Sequence, residues 1–261
     1  GDLTQFGNGD NPYPGNEKLT KVNSFGAPGL ESLSGAFYGT ENLEEVPAVL
    51  PATVTDLSST FKETGATNLS NLAQWDISNV TDMSSMFYEA SNFDQNFSNW
   101  DISKVNTMDM MFKGSNLSTS SYDVILNGWA AQTVQDNVIF GAGDTNYTSG
   151  AVDARQSLID DHGWTINDGI EINKPDVSTE PATEITGTAA VVNIIITDLG
   201  KPDPTQHGVC WNTTGSPTIS DNHTEEGGIS STGEFTSLLR GLEPDTTYYL
   251  RAYATNDAGT A

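Results

Sequence analysis

Three histidines, one cysteine and many carboxylates are the residues in this 261-residue chain with the chemistry to catalyse or to bind metal. Catalysis needs such groups converging and activated. His162, His207 and His223 are widely separated, and His162 precedes Gly163 at the end of a helical pattern, where a capping role is expected. The sequence contains no H-x-x-x-H, C-x-x-C or G-x-S-x-G. Gly141-Ala142-Gly143-Asp144 does not open a helix as a phosphate-binding loop must. Cys210, between Val209 and Trp211, reads as a buried thiol, because apolar burial disfavours the thiolate. Paired acids could serve glycoside hydrolysis. The acids here recur by template, however, as Asp56/Asp82 and Asp76/Asp101, which points to structural or surface roles. The catalytic set is therefore empty, and a non-enzyme is expected. For cations there is no D-x-[DN]-x-[DN]-G loop. No metal or cofactor is expected; Asp144, Asp160, Asp161 and Asp168 fall in turns and are the only candidates the sequence offers for calcium.

The charge narrows the partners. Lys plus Arg number 10 against 35 Asp plus Glu, a net of −25. Such a chain is repelled by nucleic acid and by anionic lipid. It has no run of 18 apolar residues, so no spanning helix is expected. No basic segment followed by an apolar one opens the chain, which predicts a leader either absent or removed. Abundant Asn, Ser, Thr and Gly suit turn-rich extracellular β modules.

The elements that would position these residues are repeats. Trp75-Asp76-Ile77-Ser78 returns as Trp100-Asp101-Ile102-Ser103, and Val80 to Phe87 returns as Val105 to Phe112, each 25 residues on. Phenylalanine closes successive passes at 37, 61, 87 and 112. Four residues earlier stand Leu33, Leu57, Met83 and Met108, and three earlier again Leu30, Val54, Val80 and Val105. A coil of that length buries its apolar side only by stacking on its neighbours, which predicts a solenoid. Coils are expected at 30–53, 54–79, 80–104 and 105–116. Each has a short parallel strand at V-T-D-M and a helical turn beginning at Met-Phe. Trp75 is expected over Trp100 in a second ladder. Residues 1–29 and 113–172 are assigned as caps. The second cap contains a helix after Ser118, a strand over 134–140, a helix over 151–161 and a strand over 164–166.

The pattern W-D-[IV]-S-x-V-x-x-M-x-x-M-F resembles the bacterial surface leucine-rich-repeat family called BspA-like. The tail from Ser121 to Trp129, with Ala154-Arg155-Gln156 and Gly163-Trp164-Thr165-Ile166-Asn167-Asp168-Gly169, is similar to the endings such proteins carry. The resemblance spans about 20–172 and implies a secreted or surface-displayed solenoid of the adhesin type. It makes the expected class of this part α/β and leucine-rich-repeat-like.

Residues 173–182 read as a polar linker bearing Pro175 and Pro181. Strand-like runs follow at 185–190, 191–197, 208–212, 235–239 and 248–256, spaced as in a β-sandwich. Leu242-Glu243-Pro244-Asp245-Thr246-Thr247-Tyr248 places a tyrosine where its hydroxyl can bond back across a corner. With Tyr249 to Asn256, and His207 to Trp211 as a central strand, residues from about 176 to 261 resemble a fibronectin type III domain, and an all-β sandwich is expected over 183–261. The final strand is expected to be missing or short, and the chain to be part of a longer multidomain polypeptide.

If Val80 and Met83 face inward, their neighbours face outward. The candidate binding face is therefore Thr55, Asp56, Ser58, Thr81, Asp82, Ser84, Asn106, Thr107 and Asp109. Together these readings predict an extracellular, bacterial cell-surface recognition or adhesion module. Its partners would be surface proteins or glycans of a host or neighbouring cells, with the sandwich as spacer. The alternative is a non-catalytic accessory region of a large secreted polysaccharide-degrading enzyme.

Overall fold

Left-handed backbone recurs twice in every pass of the repeat. Gly35, Ser59, Ser85 and Met110 have φ of 66°, 52°, 55° and 53°, and Gly39, Glu63, Glu89 and Gly114 have 66°, 53°, 54° and 72°. A helix needs consecutive right-handed residues, so none runs through these positions. Each pass is instead a string of turns that hands its backbone groups to the next pass. Phe37 N–H donates to Thr60 O (2.8 Å), Phe61 to Met86 O (2.8 Å), Phe87 to Met111 O (2.8 Å) and Phe112 to Gly141 O (2.9 Å).

The computed structural model describes residues 4–26, 29–67 and 69–261. Residues 1–3 and 27–28 of the expected first cap, and residue 68 of the second coil, lie outside that set. The chain divides into two compact units, Gly1–Glu171 and Ile172–Ala261.

In the first unit, parallel single-residue bridges join Gln5 to Ser32, Ser32 to Asp56, Asp56 to Asp82 and Asp82 to Thr107. The strands are short: Thr107–Met108 (β1), Ile139–Gly141 (β2), Tyr147–Thr148 (β3), Thr165–Asn167 (β4) and Glu171–Ile172 (β5). β1, β2 and β4 continue the column in parallel register, with Thr107 beside Ile139 and Ile139 beside Thr165. Two helices, Thr119–Ala130 (α1) and Val152–His162 (α2), follow the last pass. Ser118 caps α1 by accepting the Ser121 N–H on Oγ (3.2 Å). Gly163, at φ 67°, ends α2 and returns its N–H to Ile159 O.

The core is a column of rings. Centroids of Phe37, Phe61, Phe87 and Phe112 are 5.1, 5.5 and 5.4 Å apart, with planes within 16°, 5° and 3° of parallel. Phe93 and Phe97 stack on Phe87 at 4.4 and 5.3 Å. Met83, Met86, Met108, Met111, Trp129 and Phe140 complete the same buried cluster.

These observations correct the expected α/β leucine-rich-repeat-like class. Among the described residues α1 and α2 are the only α-helices, both fall after the repeats, and apart from two single-turn 3-10 helices, Asn16–Lys18 and Leu72–Gln74, the rest is strand, bridge, turn and loop. The helical turn expected at Met86-Phe87 is prevented by left-handed Ser85 and Glu89 on either side. The tryptophan ladder also fails. Trp75 packs on Phe61 (5.9 Å) and Phe25 (5.8 Å), whereas Trp100 stacks on Phe97 (4.1 Å). The strand expected over 134–140 shrinks to β2.

Strain at the left-handed positions makes a prediction. A non-glycine residue there costs roughly 1–2 kcal/mol, part of which glycine gives back in unfolded-chain entropy. Ser85→Gly is expected to raise the unfolding free energy by about 0.5–1 kcal/mol in denaturant titration. Gly35→Ala should do the opposite, because a Cβ there would lie 1.9 Å from Gly9 O.

The second unit consists of Asp176–Thr183 (β6), Ala189–Asp198 (β7), Gln206–Asn212 (β8), Asn222–His223 (β9), Gly233–Arg240 (β10), Tyr249–Asn256 (β11) and Gly259–Thr260 (β12). They form two antiparallel sheets, ordered β10-β7-β6 and β12-β11-β8-β9. β7 alternates from Ala189 to Ile196, burying Ala190, Val192, Ile194 and Ile196, of which the last three share a core with Val209, Leu239, Ala252 and Ala254. Tyr248 accepts the Glu243 N–H on its hydroxyl (3.0 Å). Cys210 is buried and its thiol donates to Arg251 O (3.3 Å); burial pushes its pKa up.

Two sequence readings are corrected here. The supposed linker 173–182 is mostly β6, paired with β7 from Asp176 to Thr183. Its Pro181 sits where the register slips between Thr179 and Ala182, the one kind of place a strand tolerates proline. The strand expected at 185–190 is largely loop, with β7 beginning only at Ala189.

Candidate recognition face

Stacking in register turns a sequence repeat into columns of side chains. The bridging column runs Ser32, Asp56, Asp82, Thr107. Two residues further along each pass stand Ser34, Ser58, Ser84 and Asp109. One residue before the bridge stand Thr55, Thr81 and Asn106. All nine residues named from the sequence thus fall in one strip across three passes.

Their orientations differ from the expectation. Asp56 and Asp82 are half-buried and turned along the strip. Asp56 Oδ2 accepts the Ser32 hydroxyl (2.7 Å) and its Oδ1 accepts the Ser58 N–H (2.9 Å). Ser58 Oγ donates to Ser34 Oγ (2.9 Å), and the Ser34 N–H returns to Ser32 Oγ (3.1 Å), closing a ring between two passes. Asp82 Oδ1 takes the Ser84 N–H (2.8 Å), and Thr107 Oγ1 takes that of Asp109 (3.4 Å). These carboxylates brace the turn as Asx residues do. Asp76 and Asp101 repeat the device outside the strip, accepting from Ser78 (3.1 Å) and Ser103 (3.0 Å). Hydrogen bonds from those serines hold both carboxyls below the usual range. What the strip offers to solvent is therefore Thr55 and Asn106, with Thr81, Ser84, Thr107 and Asp109 half-exposed.

At its C-terminal end the strip opens into a depression of about 370 Å³, lined by Asp109, Met110, Lys113, Gly141, Gly143, Asp144, Asn167 and Asp168. Gly141 is required for the close passage of β2: a Cβ there would lie 2.4 Å from Met110 N. Gly143 is left-handed at φ 65°, and its Cβ would meet Lys113 Cα at 2.9 Å. Met110, itself left-handed, stands 43% exposed at the rim. Asp168 is committed to the protein. Its side chain is 2% exposed and accepts from Arg155 Nη2 (2.7 Å), Arg155 Nε (2.8 Å) and the Tyr122 hydroxyl (2.8 Å). Burial, then the Asp168 charge, push the Tyr122 hydroxyl well above the ordinary phenol value.

The four aspartates weighed for calcium do not gather in one place. Asp144 and Asp168 share the depression, but Asp160 and Asp161 lie on α2, accepting from Gln156 Nε2 (2.9 Å) and Ser157 Oγ (2.8 Å). Among the described residues no three His, Cys, Asp or Glu are grouped to hold a metal ion. The histidines do not converge. His162 Nδ1 lies 3.1 Å from Asp136, His207 Nδ1 is 2.8 Å from Gly227 O, and His223 is exposed. Sequence reading missed Met110, Lys113, Gly141 and Asn167. The signal was Gly141-Ala142-Gly143, weighed only as a phosphate loop when its glycines mark close passage of one chain over another. The chemistry left is hydrogen bonding to hydroxyls and amides, with Asp109, Asp144 and Lys113 supplying charge at one end. A larger cavity, about 470 Å³, belongs to the second unit and is lined by Ile185, Leu242, Pro244, Tyr248 and Leu250 among others.

Among the described residues no helix is long and apolar enough to cross a membrane. No curated protein matches the chain. A solved structure, the sensor domain of the anti-sigma factor RsgI4 of Pseudobacteroides cellulosolvens, is 18% identical over 34% of this chain and 88% of that one. Its TM-score of 0.25 is too low to argue a shared fold. Residues 29–147, under half of the chain, match the family described as Mycoplasma protein of unknown function, DUF285.

Proposed function

We propose that this chain is a non-enzymatic recognition module of a bacterial surface or secreted protein. It engages protein or glycan partners of host or neighbouring cells through the strip and its terminal depression, with the second unit as spacer. The observation that carries the reading is the strip itself. Three passes present Thr55, Thr81 and Asn106 in one column. That column leads to a depression where Asp109 and Lys113 stand together. Partners that fit are rich in hydroxyls or amides, because the offered groups are short polar side chains rather than apolar area. An acidic chain of net charge −25 disfavours polyanionic partners. The extracellular location is part of the same proposal and is supported by the turn-rich, Asn- and Ser-rich composition.

The test is to probe the purified chain against glycan arrays, host extracellular proteins and intact bacterial cells, then repeat with Asn106→Ala/Lys113→Ala. A partner that binds through the strip should lose about tenfold or more in affinity. Binding unchanged in that variant, or no binding to any of the three, refutes the reading.

A further inference from the structure

β10 is the outermost strand of its sheet. It pairs with β7 over its whole length, from Gly233 beside Ile196 to Arg240 beside Ala189. Among the described residues no strand lies on its other side. Its side chains alternate. Ser237 and Leu239 are buried, while Glu234, Thr236, Leu238 and Arg240 are exposed, Leu238 at 41%. Inside, the Ser237 hydroxyl donates to Glu226 Oε1 (2.8 Å) and lies 2.6 Å from Thr224 Oγ1, so the strand is anchored from its inner face. An eight-residue edge of this kind presents N–H and C=O groups to any strand that fits.

The order of the exposed residues selects the occupant. Glu234 stands three residues before Ser237 and Arg240 three after, with Thr236 and Leu238 between. Laid antiparallel on a second copy with Ser237 opposite Ser237, the strand sets Glu234 against Arg240 and Thr236 against Leu238. The two-fold axis then repeats both pairs. Sliding the register by two residues in either direction removes both ion pairs, and a parallel arrangement cannot form them. We infer that β10 is a homodimerisation edge, on which a second copy of this chain extends the three-stranded sheet to six strands across a two-fold axis. The net charge of −25, and Glu226 beside Ser237, oppose association at low salt. That repulsion is screened beyond about 10 Å at about 0.1 M salt, while the strand contact is local. The dimer is accordingly stronger at moderate than at very low ionic strength.

Sedimentation of the full chain tests this with two variants, Glu234→Arg and Arg240→Glu, both at exposed positions, so circular dichroism should show an unchanged fold. The wild type should dimerise in a concentration-dependent way. Each reversal alone turns both attractive pairs repulsive and should weaken the dimer about tenfold. An equimolar mixture of the two variants restores complementary pairs and should associate as well as the wild type, as should the double reversal. A wild type that stays monomeric to about 1 mM overturns the inference; an edge that serves another protein's strand would give that result. A dimer indifferent to both reversals, or variants that fail to associate on mixing, also overturns it.

Discussion

Phe87→Ala is expected to destabilise the first unit by about 3–5 kcal/mol, the range for removing a large buried aromatic. Phe87 is fully buried and central to the column, stacked on Phe61, Phe93, Phe97 and Phe112 at 5.5, 4.4, 5.3 and 5.4 Å. Truncation therefore opens a cavity touching several passes at once. Collapse into it is resisted because each pass is tied to the next through Phe61 N–H to Met86 O and Phe87 N–H to Met111 O. Chemical denaturation followed by tryptophan fluorescence reports on this unit, which holds Trp75, Trp100, Trp129 and Trp164. The second unit has its own core and should keep its transition. A loss under about 1 kcal/mol would mean that the rings are not a cooperative column.

The second large effect lies beneath the depression. Asp168→Ala removes the carboxylate that pairs with Arg155 through two bonds of 2.7 and 2.8 Å and receives the Tyr122 hydroxyl. Removing one partner of a buried pair costs about 3–5 kcal/mol, because the other charge is left uncompensated. Arg155 is itself 19% exposed and rests over the Tyr147 ring at 4.9 Å, so the lower end, about 3 kcal/mol, is expected. Asp168→Asn keeps an acceptor for Tyr122 and should lose less. Tyr122 adds a pH dependence with a definite sign. Its folded pKa lies above the ordinary value of 10.0, so its contribution is complete below pH 10 and lost as pH rises above it. Thermal melts should therefore decline on the alkaline side, and less steeply in Tyr122→Phe. Some decline persists there, because burial also raises Tyr38 and Tyr253. An identical alkaline slope in the two proteins would remove Tyr122 from the account.

The candidate strip was legible as a list and illegible as chemistry. A 25-residue offset names residues that share a column, so all nine were identified together. Whether Asp56 points to solvent or accepts a hydrogen bond from Ser32 depends on the neighbouring pass, 24 residues away. The depression was harder still, since Asp109, Gly141 and Asn167 become neighbours only when β1, β2 and β4 align. The α/β expectation failed because of bonds between one pass and the next. Met-Phe-Tyr-Glu-Ala has helical propensity, but the stacked bonds of Ser85 N–H to Asp109 O and Glu89 N–H to Lys113 O hold both residues left-handed. Glycine at 35, 39 and 114 was the available hint.

By itself the sequence determined the period and the apolar residues on it, because those follow from which side chains must leave water at each local spacing. Only the tertiary structure decided the rest: turns in place of helices, a strand in place of the linker, braced carboxylates in place of free ones. Each of those outcomes depends on hydrogen bonds between segments distant in the chain, whose partners exist only once the passes and sheets are assembled.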